Sequence, residues 1–431
     1  MHLIWENLIP NLVLFWTGEF KGLDDNQQYV LAPAVWEAIG AASAGSSKTT
    51  PSAFGAAMPN PAQDRTYFTS ETWSLWSLFL GPVLLRRRFL SNIFYKHFCS
   101  LVGLLKICLQ FEITDEELEK IRQGFVDWVQ EYERLYYQHI PHRLPTCPVT
   151  IHALLHIADS IKMSGPVWAS WAFPIERQCG LLQRAIKSRR NPYVNLDNYI
   201  SDAAQLNQIK LVYNLSVNLS LKPPAQDKNG ISLPQYPKCR LLFPRVVGPV
   251  SRGIQNALTS ALATRYGVTN TTARRHLPAQ LEQWGKIRRL EGGDMMHARA
   301  LVPERGRDAS YVRYTALVDR FARQRRRAEE LVAQDFFGQL QHIFVIPIVA
   351  SPDLRLQQSE TIALALIRQV KTSIRTEDGT PSIPYYAQDG PLDVVDLQAV
   401  QCVVGRVNDR NEWAVFDRSG PLAQAVFVED E

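Results

Sequence analysis

Residues 113–137 read ITDEELEKIRQGFVDWVQEYERLYY. Thr114 and Glu117 stand three apart, the spacing of a capping box that satisfies free amides at a helix start. Leu118, Ile121, Phe125, Trp128, Val129, Tyr132 and Leu135 then recur at helical intervals and define one apolar face. An amphipathic helix here implies a helical core to receive that face. The same 3.6-residue rhythm extends on both sides. Helices are expected over 71–137, 148–163 (PVTIHALLHIADSIKM), 174–187 and about 197–213. The opening MHLIWENLIPNLVLFWTG also has helical spacing, through Leu3, Ile4, Leu8, Leu12, Phe15 and Trp16. Tryptophans at 16, 36, 73, 76, 128, 168 and 171 fit core packing better than base stacking.

Further along, the rhythm changes to short β-branched and aromatic runs. HARALVP, SYVRYTALV, FGQLQHIFVIPIV, TIALALIRQV, VDLQAVQCVVGRV and EWAVFDRSG are bounded by Gly, Asp, Asn and Pro, as strands are. The fold class read from these patterns is α+β: a mainly helical N-terminal half and a small antiparallel β-rich domain, closing as a barrel. The divisions are 1–221, helical, with 41–65 (rich in Ala, Ser, Gly and Pro) as a loop or insertion; 222–250, a proline-containing linker; 251–295, a basic helical segment; and 296–431, the β-rich domain. A basic helix, DRFARQRRRAEELVAQ, is expected to interrupt the strands.

The 431 residues allow two or three domains, and 46% hydrophobic against 21% charged residues is the balance of a folded chain. Net charge is +5, but residues 251–330 hold sixteen Lys and Arg against eight Asp and Glu. Such clustering suits phosphate contacts, although a solvated helix face is the plainer alternative. Six cysteines at 99, 108, 147, 179, 239 and 402 form no Cys-x-x-Cys pair, and no basic leader precedes the first apolar run. Free thiols in a reducing compartment are expected. Neither the opening helix nor 73–111 offers about 18 clean apolar residues, so no membrane partner is expected. The stretch GAASAGSSKT lacks a leading strand and misplaces its lysine for a phosphate loop. No Gly-x-Ser-x-Gly elbow occurs.

Two candidate sites follow from spacing alone. His152 and His156 share a helix face with Asp159, and Cys147 lies five residues earlier. That set could approach a zinc site, but helix-flank histidines bonded to backbone or solvent are the simpler reading. Basic clusters stand at Arg86–Arg88, Lys187 with Arg189 and Arg190, Arg274 and Arg275, Arg288 and Arg289, and Arg323 with Arg325, Arg326 and Arg327.

CPVTIHALLHIADSI followed by GPVWASWAFPIERQCGLLQRAIKSRRNPYVNLDNYI resembles a segment of the CACTA-type (En/Spm-like) transposases, particularly those of fungi. The family's Met/Phe-Glu-Arg-x-x-Gly element stands here as Pro174-Ile175-Glu176-Arg177-Gln178-Cys179-Gly180, with the basic stretch Lys187-Ser188-Arg189-Arg190 after it. The opening MHLIWENLIPNLVLFWTG is similar to the family's Asp-x-Met-His-Leu segment, with His2 as its histidine. GKIRRLEGGDMMHARALV and QAVQCVVGRV resemble the C-terminal region of fungal members. The resemblance implies that the helical half is a remnant of an RNase H-like transposase domain with its helical insertion.

It also implies truncation at the N-terminus, as translation from an internal methionine would give, since the family's acidic residue precedes the Met-His-Leu. Glu176 then matches a relic third carboxylate, an ordinary glutamate in a first helical turn being the plainer alternative. His2 matches the motif histidine, with an unstructured terminal residue as its alternative. Such enzymes need two divalent metals held by several carboxylates. Mg²⁺ is implied for a full-length relative and no cofactor for this chain, which is expected to be inactive. A nuclear, DNA-binding protein is expected, binding through Arg177, Lys187, Arg189, Arg190, Arg288, Arg289, Arg325, Arg326 and Arg327, with self-association left open. A non-catalytic protein-interaction module, and the tail of an active metal-dependent transposase, are the competing expectations. An apolar opening helix shaped for an absent sheet would expose its face.

Overall fold

The computed structural model describes residues 2–24, 27–215, 219, 230–290, 293–303, 306–321, 327, 328, 330–376 and 380–418. The helical half contains α1 (Ile9–Thr17), entered through a π-helical turn at Ile4–Leu8, then α2 (Pro33–Gly45), α3 (Ser70–Leu75) and α4 (Gly81–Leu84). There follow α5 (Asn92–Cys108), α6 (Asp115–Tyr132), α7 (Val149–Ala153), α8 (Ile157–Ser164), α9 (Phe173–Ala185) and α10 (Pro192–Val212). Among the described residues 2–215 there is no strand.

The capping box forms at α6: Thr114 Oγ1 accepts from the Glu117 amide, and the Glu117 carboxylate accepts from the Thr114 amide. The apolar stripe of α6 is buried from Leu118 to Tyr132. Gly124 lets α5 approach it, since a Cβ there would lie 2.4 Å from a Leu104 methyl. α1 fills the remaining space. Phe15 stacks on Tyr136 at 4.8 Å, Trp16 meets Phe98 edge-on at 5.3 Å, and Trp16 Nε1 donates to the Tyr136 hydroxyl at 3.2 Å. Leu12, Val13, Phe15 and Trp16 are fully buried, so the exposed face expected of the opening helix is not found. Trp36, Trp73, Trp76 and Trp128 are buried too, whereas Trp168 is exposed.

The stretch 41–65 is not simply a loop. Its first residues finish α2, and 3₁₀ turns follow at Ser46–Lys48 and Ser52–Phe54. Small residues in this stretch and just ahead of it serve close packing. A Cβ on Gly40 would fall 2.1 Å from Asn60 Oδ1, and Ser43 accepts from Trp76 Nε1 in the core. The turns then fasten onto the second half. Lys48 O accepts from the Asp308 amide and Thr49 O from the Arg406 amide, and the Arg307 guanidinium donates to the carbonyls of Thr50, Pro51 and Gly55.

The second half begins earlier than expected, with β1 (Gly230–Ile231) and β2 (Cys239–Gly248) inside the supposed linker. The basic segment is helical only through α11 (Arg252–Tyr266) and α12 (Asn270–His276); β3 (Leu281–Arg289) and β4 (Met295–His297) complete it. Basic residues misled here. In LEQWGKIRR, the buried Leu281, Gln283, Gly285 and Ile287 alternate with the half-buried Glu282, Lys286 and Arg288, a period of two broken at the buried Trp284. β5 (Tyr311–Asp319) and β6 (Leu331–Ile348) pair antiparallel from Tyr311↔Gln339 to Asp319↔Leu331. The described parts of 319–334 are therefore strand ends and turn rather than a basic helix; residues 322–326 and 329 lie outside the described residues.

β7 (Glu360–Val370), β8 (Ser373–Arg375), β9 (Ile383–Tyr386), β10 (Asp389–Asp396), β11 (Val400–Asp409) and β12 (Glu412–Asp417) finish an antiparallel sheet of twelve strands. Its order is β1-β2-β3-β6-β5-β11-β12-β9-β8, with β4 on β3 and β7 between β6 and β10. The described ladders do not close into a ring, so the expected small barrel is instead a large open sheet. β7 is buried on both faces, which explains its unbroken apolar run. Ile362, Leu364 and Leu366 pack with Leu258 and Leu262 of α11, while Ala363, Ala365 and Ile367 belong to the core shared with the helical half. Among the described residues no helix is long and apolar enough to cross a membrane.

Candidate functional site

The opening π-turn sets His2 and Glu6 on one helical face, four residues apart. Glu6 Oε2 lies 2.5 Å from His2 Nδ1, and the Ser70 hydroxyl at the start of α3 donates to Glu6 Oε1. The other ring nitrogen, His2 Nε2, lies 3.3 Å from Glu176 Oε1 in the first turn of α9. One imidazole thus bridges two carboxylates from opposite ends of the helical half. The Ser70 hydroxyl, and then His2, hold the Glu6 carboxyl below the usual carboxylate range. His2 is therefore structured, and its neighbour Glu6 is a site residue that sequence reasoning passed over. The i, i+4 spacing from His2 was the available signal.

The junction is open to solvent: 61% of the His2 side chain and 48% of the Glu176 side chain are exposed. Its donor set is small. Among the described residues no group of three or more His, Cys, Asp or Glu is arranged to hold a metal ion. Both junction carboxylates are already spent on one ring.

Of the expected DNA-binding residues, Arg177 sits beside Glu176 on α9. Lys187, Arg189 and Arg190 occupy the turn into α10. All four are exposed and make no ion pair among the described residues. α9 and α10 have no buried residue at all. Arg288 and Arg289 lie elsewhere, on strand β3. Arg288 pairs across to Arg240 of β2, and Arg289 donates to Cys239 Sγ at 3.5 Å. Arg327 is exposed, its guanidinium 4.7 Å from the Phe321 ring centroid. Arg325 and Arg326 lie outside the described residues.

The spacing-based metal candidates do not converge. His152 and His156 bring their Nε2 atoms to 3.2 Å, but Asp159 is held by Arg122 at 2.8 Å and Cys147 is half-buried beside Thr146. Burial raises the Cys147 thiol pKa, which disfavours a metal-ready thiolate.

Compared with protein-family models, curated proteins and solved structures, the chain matches none of them.

Proposed function

We propose that the protein binds duplex DNA through its phosphates, without sequence readout, as a nuclear, transposon-derived relative of the CACTA-type transposases. One observation carries this reading. His2 and Glu176, which the resemblance singles out in separate motifs, meet at 3.3 Å. In this reading the helical half corresponds to the helices of an RNase H-like domain, and the junction to the place of its acidic chemistry. Arg177, Lys187, Arg189 and Arg190 beside the junction supply cations for a DNA backbone. Two Mg²⁺ ions would need several free carboxylate oxygens. The described junction does not fit that need, and no cleavage step is assigned to it.

Fluorescence anisotropy with a labelled duplex at 50 and 200 mM salt tests the reading. Each phosphate contact contributes a slope of about 0.9 in log–log affinity against salt. Replacing Arg177, Lys187, Arg189 and Arg190 together by Ala should flatten that slope; salt-insensitive retention would sink the proposal. Mg²⁺-dependent nicking of plasmid that disappears in Glu176→Gln would instead favour an active transposase. A second reading, a protein-interaction module, draws on the uncovered apolar side chains of α9 and α10, including Tyr193 and Leu211. A bound partner retained after reversal of the four charges would favour it.

A further inference from the structure

β5 and β6 outrun the sheet that holds them. β11 pairs with β5 only at Val312, Arg313 and Tyr314, and the ladder of β7 on β6 begins at Gly338. Beyond those points, Thr315–Asp319 and Leu331–Asp335 pair only with each other among the described residues. Five residue pairs at about 3.4 Å per residue make an arm of roughly 17 Å. Its apolar side chains find no cover: Leu317 is 66% exposed, Leu331 53% and Val332 43%. Every residue from Leu331 to Asp335 is exposed.

The arm's acids are consumed within it. Asp335 pairs with Arg313 and accepts from Thr315. Asp319 accepts from the amides of Phe321 and Glu330, and Glu330 pairs with Arg320 at 3.2 Å. Its cations are in excess. The connection 320–330 carries five arginines against two glutamates. Arg320 and Arg327 flank the Phe321 ring at 5.8 and 4.7 Å.

A lone two-stranded ribbon is marginal in water, and the excess of arginine over glutamate in its connecting sequence weakens it further. The same charge repels a second copy pairing along the ribbon's open edges. A polyanion relieves both costs. The major groove of B-DNA, about 12 Å wide, admits a two-stranded ribbon, and its walls are phosphates. We propose that the β5–β6 arm lies in the major groove of duplex DNA. Arg320 and Arg327 bind the bordering phosphates, and Leu317, Leu331 and Val332 rest on base edges and sugars. This rests on the DNA-binding reading and adds the element and the groove.

The test compares the full chain with a variant in which residues 316–334 are replaced by Asn-Gly, joining Thr315 to Asp335 through a two-residue turn. A second variant, with Arg320 and Arg327 changed to Ala, leaves the paired residues of the ribbon in place. Binding to a duplex of about 20 base pairs is followed with salt, together with dimethyl sulfate protection of guanine N7 in the major groove. Circular dichroism and melting confirm that both variants fold.

The proposal expects the unaltered chain to protect N7. It expects the shortened arm to lose that protection and bind at least tenfold more weakly. It expects the double variant to lose up to about 1.8 of the salt slope, two contacts at about 0.9 each. If the unaltered chain binds and the shortened arm binds and protects equally, the arm inference fails while the DNA reading stands. Protection confined to adenine N3, in the minor groove, overturns the groove assignment. A shortened arm that abolishes self-association but not DNA binding makes a second copy the occupant. No binding by the unaltered chain overturns both readings.

Discussion

α1 and α10 are both rich in apolar residues, and they end in opposite environments. Ile9, Leu12, Val13, Phe15 and Trp16 of α1 are buried, held by the aromatic rings of α5 and of the segment that ends α6. α10 spreads Tyr193, Val194, Tyr199, Ile200, Ile209, Leu211 and Val212 around itself, and none is buried. Apolar content therefore does not decide burial. α1 concentrates its apolar residues toward a receiving surface, whereas those of α10 point in several directions and one neighbour cannot cover them. The well-packed helix carries stability, and the uncovered one is free to meet another molecule.

The largest expected effect tests the stable side of that contrast. Trp16→Ala should cost about 3–5 kcal/mol in urea unfolding, by removing a buried ring and its bond to Tyr136. Tyr193→Ala, at a residue 84% exposed, should stay within about 0.5 kcal/mol. Equal losses would erase the distinction.

Next comes acid sensitivity centred on α5. Burial against Trp128 lowers the pKa of His97 to about 4, from 6.5. The folded state then binds fewer protons than the unfolded one between those values. Stability from this group is intact above pH 6.5 and falls as pH drops toward 4, by about 3 kcal/mol in all. Unfolding measured at pH 7 and 4.5 should show the fall. His97→Gln should reduce it, and an unchanged pH dependence would remove His97 as its cause.

Gly40→Ala sharpens the account of α2. The added methyl meets both Asn60 and the Ala62 Cβ, the latter at 2.8 Å, and should cost about 1–3 kcal/mol. A neutral outcome would mean that residues 58–62 do not pack tightly there. Smallest is the junction. His2→Ala should change global stability by less than about 1 kcal/mol, because the ion pairs are exposed. It should speed amide exchange in α9, which few other contacts restrain; unchanged exchange would show that His2 does not anchor that helix.

How much of this was legible depended on whether neighbours in sequence were also neighbours in space. α6 was readable because its cap and its stripe are local signals, and β7 because burial on both faces leaves an unbroken apolar run. The end of α2 was read as loop because Ala, Gly and Ser mark loops and close helix contacts alike. β3 hid behind its arginines, whose spacing fits a solvated helix face as well as a strand. The α+β class survived these errors, as did the helices of the basic segment up to His276; the linker, the rest of that segment and the barrel did not. At the site, His2 and Glu176 were named through separate motifs, and nothing in their positions indicated that they touch. Glu6 was within reach through its four-residue offset and was missed. Ser70 carried no such signal.

The fastening of residues 46–55 onto the sheet has a consequence for what counts as one molecule. The Arg406 amide donates to the Thr49 carbonyl and the Thr49 hydroxyl donates back to the Arg406 carbonyl, Arg88 pairs with Asp409, and Phe54 packs edge-on against Phe416. A protease that severed the chain between 216 and 229 would break one peptide bond and none of these contacts. The two fragments should travel together through gel filtration and part only in denaturant, a noncovalent heterodimer made from a single gene product.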